Sequence, residues 1–225
     1  LLNWLFSSKD KHMILFSSPA SPFGRKIKLA LYATGMQDNV EVRIGDTGDP
    51  DSEFKKLNPL GKLPTLSANG MPLYDSRVIM EFIDSEAGEK SSLFPVSGPT
   101  RFDVLTKVAL ADGAMDAAIL MVYEGRFRTA EQRAESFVDY QKGKIERALV
   151  ALAEQTSSYE NGATPNAAEI SLACLLDYLD LRALLDWREH APSLEAWITE
   201  FAAHAAGYQV TLAPDMPPAP WRDAS

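Results

Sequence analysis

The chain has 225 residues, 46% of them hydrophobic and 24% charged, with a formal net charge of −9. That balance suits one or two soluble globular domains with a sizeable core, and the acidic excess excludes nucleic-acid binding as the main role, because a basic footprint is missing. The single cysteine, Cys174, excludes an intrachain disulfide and a thiolate metal cluster, and it points to a reducing, cytoplasmic compartment. His12, His190 and His204 lack zinc-ligand spacing, so no metal is expected.

Residues 1–12 begin Leu1-Leu2-Asn3-Trp4-Leu5-Phe6, too short for a membrane span and with no basic region before it. They read as an extension upstream of Met13, either native or left by cloning. Met13 to Phe16 is a short apolar run stopped by Ser17-Ser18-Pro19, which predicts a buried strand. Ser21-Pro22 is an N-cap and first-position pair that starts a helix. Ile27, Leu31 and Tyr32 share its apolar face, Lys26 and Lys28 turn away, and Gly35 ends it. Val40 to Ile44 alternates as a strand. A polar loop follows, then a short helix capped by Asp51 or Ser52 and running through Leu57.

The next stretch is the most informative. It reads Asn58-Pro59-Leu60-Gly61-Lys62-Leu63-Pro64-Thr65-Leu66, then Pro72-Leu73-Tyr74-Asp75-Ser76. Pro64 precedes a strand, where no ladder N–H is needed, and a tight X-Pro turn is a candidate cis bond. A cis bond there would turn the Leu63 backbone outward, free for an extended ligand. Asn69-Gly70 predicts a hairpin joining strands Thr65–Ala68 and Met71–Tyr74. Asp75-Ser76 caps a helix to about Glu86, whose free N–H groups favour an anion. The order is βαβ, a short helix, then ββα: an α/β unit with a mixed four-stranded sheet, its first two strands parallel.

Ser91 to Pro99 is a linker carrying Leu93 and Phe94. Beyond it the pattern is all helical. Thr100 to Glu124 carries Val104, Val108, Ala111, Met115, Ala118 and Val122 on one stripe. A second long helix from Thr129 to about Glu154 makes an antiparallel pair with it. Asn166 and Glu169 form a capping box at the start of a helix that is apolar nearly all round, hence central and buried. Pro192-Ser193 caps a further helix through Ala206, and the proline-rich tail from Pro214 is expected to wrap the surface.

An α/β unit of this order followed by helices resembles the soluble glutathione S-transferase family over about residues 13–207. Four segments carry the likeness. Ser21-Pro22-Phe23-Gly24-Arg25-Lys26 is similar to the active-site turn of bacterial and omega-like members, here without the omega cysteine. Asn58 to Leu66 looks like the family's cis-proline segment. Asp75-Ser76-Arg77-Val78-Ile79 is similar to the glutamyl-binding turn, with Asp where Glu is commoner. Asn166 to Ala173 is similar to the capping motif, with Asn and Glu in place of Thr or Ser and Asp. The resemblance implies a thioredoxin-like glutathione-binding domain over 13–90, a linker at 91–99 and an all-helical domain over 100–225.

It also implies glutathione as cosubstrate, a homodimer, and no membrane or nucleic-acid partner. The glutathione thiol must become a thiolate to attack. Lowering a thiol pKa by ~2 units takes ~2.7 kcal/mol of preferential thiolate stabilisation. A serine hydroxyl donating to the sulfur is worth about 1.5–3 kcal/mol and a helix N-terminus roughly 0.3–1 kcal/mol more. Ser21 stands where both meet; Ser18 is the alternative, with Ser17 behind it. Leu63 would pair its backbone with the cysteinyl part, beside Pro64. Asp75 and Ser76 would hold the γ-glutamyl end, and Lys62 the glycyl carboxylate. Phe23 would line the site, and with it Met115, Ile119 and Tyr123 would wall the second substrate. The expected activity is transfer of glutathione to a small apolar electrophile, or peroxide reduction. Alternatives are a glutathione-dependent disulfide reductase and a non-catalytic glutathione-binding or interaction protein on the same fold. The missing cysteine counts against thiol exchange through a protein thiol.

Overall fold

The computed structural model describes residues 13–91 and 93–217. The extension at 1–12 and the end of the tail, 218–225, lie outside the described residues. Four strands form one sheet: β1 (Met13–Ser17), β2 (Val40–Ile44), β3 (Thr65–Ala68) and β4 (Met71–Leu73). Their order is β2-β1-β3-β4, with β1 parallel to β2 and antiparallel to β3, and β3 antiparallel to β4. Helices α1 (Pro22–Ala33), α2 (Glu53–Leu57) and α3 (Ser76–Ala87) complete a thioredoxin-like domain. A helical domain follows: α4 (Pro99–Phe127), α5 (Glu135–Gln155), α6 (Ala167–Arg182) and α7 (Ser193–His204). Among the described residues, no helix is long and apolar enough to cross a membrane.

Local chemistry accounts for the element ends. Ser21 caps α1 by accepting from the Gly24 N–H at 3.0 Å, with Pro22 at the first position. Asn69 (φ 52°) and Gly70 (φ 84°) take the two positive-φ positions of the β3–β4 turn. Asp75 caps α3, and Gly88, at φ 59°, ends it. At α6 the capping box closes both ways: the Asn166 side chain accepts from Ala168 and Glu169, and Glu169 accepts from the Asn166 N–H. α6 is then buried from Ala167 to Leu179 on nearly every face, as the absence of a polar stripe predicts.

Three expectations need correction. Lys26 does not turn to water: it is 0% exposed, because its ammonium meets both carboxylate oxygens of Asp112 on α4 at 2.7 and 2.8 Å. The second long helix starts at Glu135, not Thr129. Thr129 and Gln132 instead cap a separate one-turn 3-10 helix, so Glu131 and Arg133 belong to the connection. The alternation in Val40–Ile44 does not bury Val42 and Ile44, because β2 is an outer strand of the sheet.

Arg25, next to Lys26, is buried too. Its guanidinium ion-pairs with Asp177 of α6, donates to the Tyr208 carbonyl at 3.3 Å and lies 4.7 Å over the Tyr208 ring. Tyr208 in turn donates its hydroxyl to Asp177 at 2.9 Å. Two consecutive cations of α1 thus bind two carboxylates of the helical domain. Replacing one member of such a pair strands a buried charge, whereas replacing both with apolar residues of similar volume need not destabilise. Lys26→Met is therefore expected to cost about 3–5 kcal/mol in chemical denaturation. The double variant Lys26→Met with Asp112→Leu should recover most of that loss, measured as the denaturant midpoint at unchanged slope.

Candidate functional site

The strand register gathers the predicted site at one end of the sheet. Phe16 pairs with Thr65, so Ser17 and Ser18 run beside Pro64 and Leu63. Leu66 pairs with Leu73, which brings Tyr74 and Asp75 alongside Thr65 and Pro64. The serine turn, the proline loop and the start of α3 are therefore neighbours, although they lie up to about sixty residues apart in sequence.

Of the three serines, Ser17 is buried under the first turn of α1. A Cβ at Gly24 would come within 2.1 Å of its hydroxyl oxygen, so the glycine permits this contact. Ser18 and Ser21 are half-buried, and the Ser21 N–H donates to the Ser18 carbonyl at 3.1 Å. Capping uses the Ser21 oxygen as an acceptor and leaves the hydroxyl proton for another partner. Capping α1 and donating to a ligand are compatible roles for this residue.

The Leu63–Pro64 bond is cis. Among the described residues, neither the N–H nor the C=O of Leu63 takes part in a backbone hydrogen bond. The loop around it is held by side chains: the Lys62 carbonyl accepts from Asn58 Nδ2 and Thr65 Oγ1, both at 2.9 Å. The Leu63 side chain packs so closely that a Cβ at Gly45 would lie 2.8 Å from it. Lys62 projects from this loop and is exposed.

Asp75 is exposed and Ser76 buried at the first position of α3. A second cis bond, between Tyr74 and Asp75, precedes them; no residue of the sequence marks it. The Asp75 carboxylate accepts from the Arg77 N–H at 3.0 Å and from the Arg77 guanidinium at 2.8 Å. Burial raises its pKa, but hydrogen bonds and charge from Arg77, with help from Lys26, outweigh that and leave it below the usual carboxylate value. Arg77 also approaches Asp112 at 3.9 Å, so Asp75, Arg77, Asp112 and Lys26 form one alternating chain of charge from α3 through α4 to α1. Sequence reasoning missed Arg77, Asp112 and Lys26 as parts of the site. Asp112 does leave a signal, as a lone acid between Ala111 and Met115 on an apolar stripe.

The residues assigned to the second substrate separate. Met115 is 0% exposed and belongs to the core, Ile119 is half-buried, and Tyr123 is exposed with its ring edge-on to Phe127 at 5.1 Å. Phe23 is half-buried, with the Lys26 ammonium 5.8 Å from its ring centre. A narrow cleft beside the serine turn is lined by Ser21, Pro22, Tyr178, Leu181, Ala213 and Met216. Tyr178 was not anticipated, since it sits among the mostly apolar residues of α6.

Residues 15–91 match the Glutathione S-transferase N-terminal domain, and residues 113–200 match the Glutathione S-transferase C-terminal domain. The chain belongs to the glutathione S-transferase family. The uncharacterized GST-like protein YibF of Escherichia coli is 32% identical over 175 residues, which cover 76% of this chain and 83% of YibF. A glutathione transferase family member from Pseudomonas fluorescens Pf-5, with bound glutathione, is 36% identical. It superposes with a TM-score of 0.78 over 90% of this chain and 99% of its own. The same family member, with bound S-(propanoic acid)-glutathione, superposes at a TM-score of 0.73, covering 90% of this chain and 97% of its own.

Cys174 lines the deep end of the cleft, yet burial pushes its thiol up to about 12. It is therefore expected to stay unmodified by an aromatic disulfide reagent at about pH 8 in the native protein. In denaturing guanidinium the same reagent should titrate one thiol per chain.

Proposed function

We propose that this chain is a glutathione transferase that stabilises the glutathione thiolate and adds it to a small apolar electrophile. The observation that carries the reading is the Leu63 backbone, which makes no backbone hydrogen bond among the described residues and lies by strand register between the serine turn and the Asp75-Ser76 helix start. An extended tripeptide suits that arrangement. Its cysteinyl backbone would pair with Leu63. Its γ-glutamyl ammonium would meet the Asp75 carboxylate, and its glutamyl carboxylate the α3 N-terminus at Ser76. Lys62 would reach the glycyl carboxylate. The sulfur would then lie toward the start of α1, where Ser21 donates its hydroxyl proton, or Ser18 in its place. With an aryl halide, the carbon–sulfur bond forms as the carbon–halogen bond breaks. The halide leaves with the electron pair, and the thiol proton passes to solvent.

Two observations favour conjugation over thiol exchange. The turn holds no cysteine. A related structure at 36% identity carries glutathione substituted on sulfur. The proposed setting is a reducing cytoplasm and the proposed role detoxification. Domain limits of 13–90 and 100–225, joined by 91–99, accompany the reading. We also propose a homodimer, with α3 packing on the partner's long helices. Val78 on α3 and Phe102 on α4 expose apolar surface that would support this. Equilibrium sedimentation should return twice the chain mass; a monomer at micromolar concentration would refute it.

Retention on immobilised glutathione, followed by faster turnover of an aryl halide than of a glutathione mixed disulfide, tests the function. Failure of retention overturns it. Ser21→Ala should lower kcat/KM about 10- to 100-fold, the worth of one charge-assisted hydrogen bond. It should also move the thiolate limb of the pH profile upward while glutathione still binds. Full activity in Ser21→Ala with an inactive Ser18→Ala would transfer the role to Ser18.

A further inference from the structure

The loop between β2 and α2 carries three acids, Asp46, Asp49 and Asp51. It leaves the sheet at the end that holds the proposed glutathione site. The Gly45 N–H donates to the Ser17 carbonyl at 2.9 Å, and the Leu63 side chain packs on Gly45. The strand order β2-β1-β3-β4 sets this loop on the far side of Leu63 from Asp75. A tripeptide that pairs with Leu63 and puts its glutamyl end on Asp75 therefore sends its glycyl end toward Lys62 and this loop.

Lys55, on α2, holds the loop down. Its ammonium donates to the Thr47 carbonyl at 3.0 Å and to the Asp49 carbonyl at 2.6 Å. Its stem runs along the turn before Lys62, since a Cβ at Gly61 would lie 3.6 Å from Lys55 Cε. One side chain thus ties the acidic loop to the turn that presents Lys62. In this shape two of the carboxylates bond their own backbone: Asp46 accepts from the Gly48 N–H at 2.7 Å, and Asp49 from the Asp51 N–H at 2.9 Å. The next acid, Glu53, is paired with Arg43 at 3.2 Å. Lys62 already lies within electrostatic reach of one acid, Asp116 of α4. Further carboxylates brought within a Debye length, about 8 Å, would compete for it and repel an anionic group beside it.

We propose that Lys55 is a positioning residue for the glycyl end of glutathione: by clasping two main-chain carbonyls it keeps the acids of the β2–α2 loop away from Lys62 and from the glycyl carboxylate. The proposal rests on the glutathione-binding reading above and deepens it. Two other roles compete, a lysine that only stabilises its loop and a lysine that touches the glycyl carboxylate directly.

Titration calorimetry on the full chain separates the three. Lys55→Met should weaken glutathione binding about three- to fivefold at low salt, the size of a surface charge interaction. The loss should shrink at about 1 M salt, where the Debye length is about 3 Å. Glutathione amide, whose glycyl carboxylate is replaced by a neutral carboxamide, should bind the wild type and Lys55→Met alike. Asp46→Asn, Asp49→Asn and Asp51→Asn together should restore glutathione affinity in Lys55→Met and change it much less in the wild type, because an asparagine oxygen still accepts the turn N–H groups. An unchanged affinity in Lys55→Met overturns the proposal. An equal loss of glutathione and its amide assigns Lys55 to loop stability and overturns it as well. An equal gain from the three asparagines in both backgrounds points to direct contact by Lys55 and does the same, with glutathione binding intact. If the wild type binds no glutathione, the glutathione reading itself fails, and the proposal falls with it.

Discussion

Two adjacent buried ion pairs decide where the first helix sits. Arg25 and Lys26 leave α1 in directions about a hundred degrees apart, as neighbours on a helix do. One reaches Asp177 on α6 and the other Asp112 on α4. Such pairs contribute little net stability, because desolvation consumes most of the attraction. What they give is placement: a single rotation and height of α1 satisfies both carboxylates. Ser21 opens that helix, so the helical domain, which supplies none of the backbone groups proposed for glutathione, still sets the position of the serine turn. Asp112 extends the constraint to the other side of the site through Arg77 and Asp75. The two ends of the proposed tripeptide site are thereby referred to the same residue of α4.

In the serine turn one group can serve both the structure and the proposed chemistry. The Ser21 oxygen accepts the Gly24 N–H and so starts the helix. A hydroxyl has a proton left to give after accepting, which a carboxylate cap would not have. Aspartate at this position would cap the helix as well but would repel a thiolate. Gly24 is tied to the same turn, since its missing side chain lets Ser17 pack underneath. The turn therefore holds small residues at three places for separate physical reasons: enclosure at Ser17, helix capping with the proposed donation at Ser21, close approach at Gly24.

Much of this was legible in sequence because it depends on local backbone chemistry. Ser21-Pro22, Asn69-Gly70, Asp75-Ser76 and Asn166 with Glu169 each specify a cap or turn within four residues, and each is found where its chemistry places it. Leu63-Pro64 is likewise a property of two adjacent residues. Lys26 was misread because helical periodicity assigns a lysine to the wet face unless its partner is known, and that partner lies 86 residues away on another domain. The start of α5 was misread for a related reason. Thr129 to Gln132 satisfies the capping pattern, but for a single 3-10 turn, and pattern alone does not report length.

The same distinction separates the two halves of the site. The part proposed for glutathione is built from main-chain groups and helix ends, and short motifs encode those. The part proposed for the second substrate is built from side chains that meet only because α4 and α6 end at the same place. Met115, Ile119 and Tyr123 share one helical stripe, yet they range from fully enclosed to exposed along it. Position on a stripe gives direction; depth is set by what packs on top, and that is a property of the assembled chain. Tyr178 and Arg182 are one helical turn apart on the most buried helix of the chain, where an aromatic ring reads as core and a terminal arginine as a cap. Tyr178 nevertheless lines the cleft beside the serine turn, a position that only the assembled helices give it. The two halves would therefore change in different ways: the half proposed for glutathione rests on backbone groups and helix ends and changes with the fold, and the half proposed for the second substrate changes with single side chains.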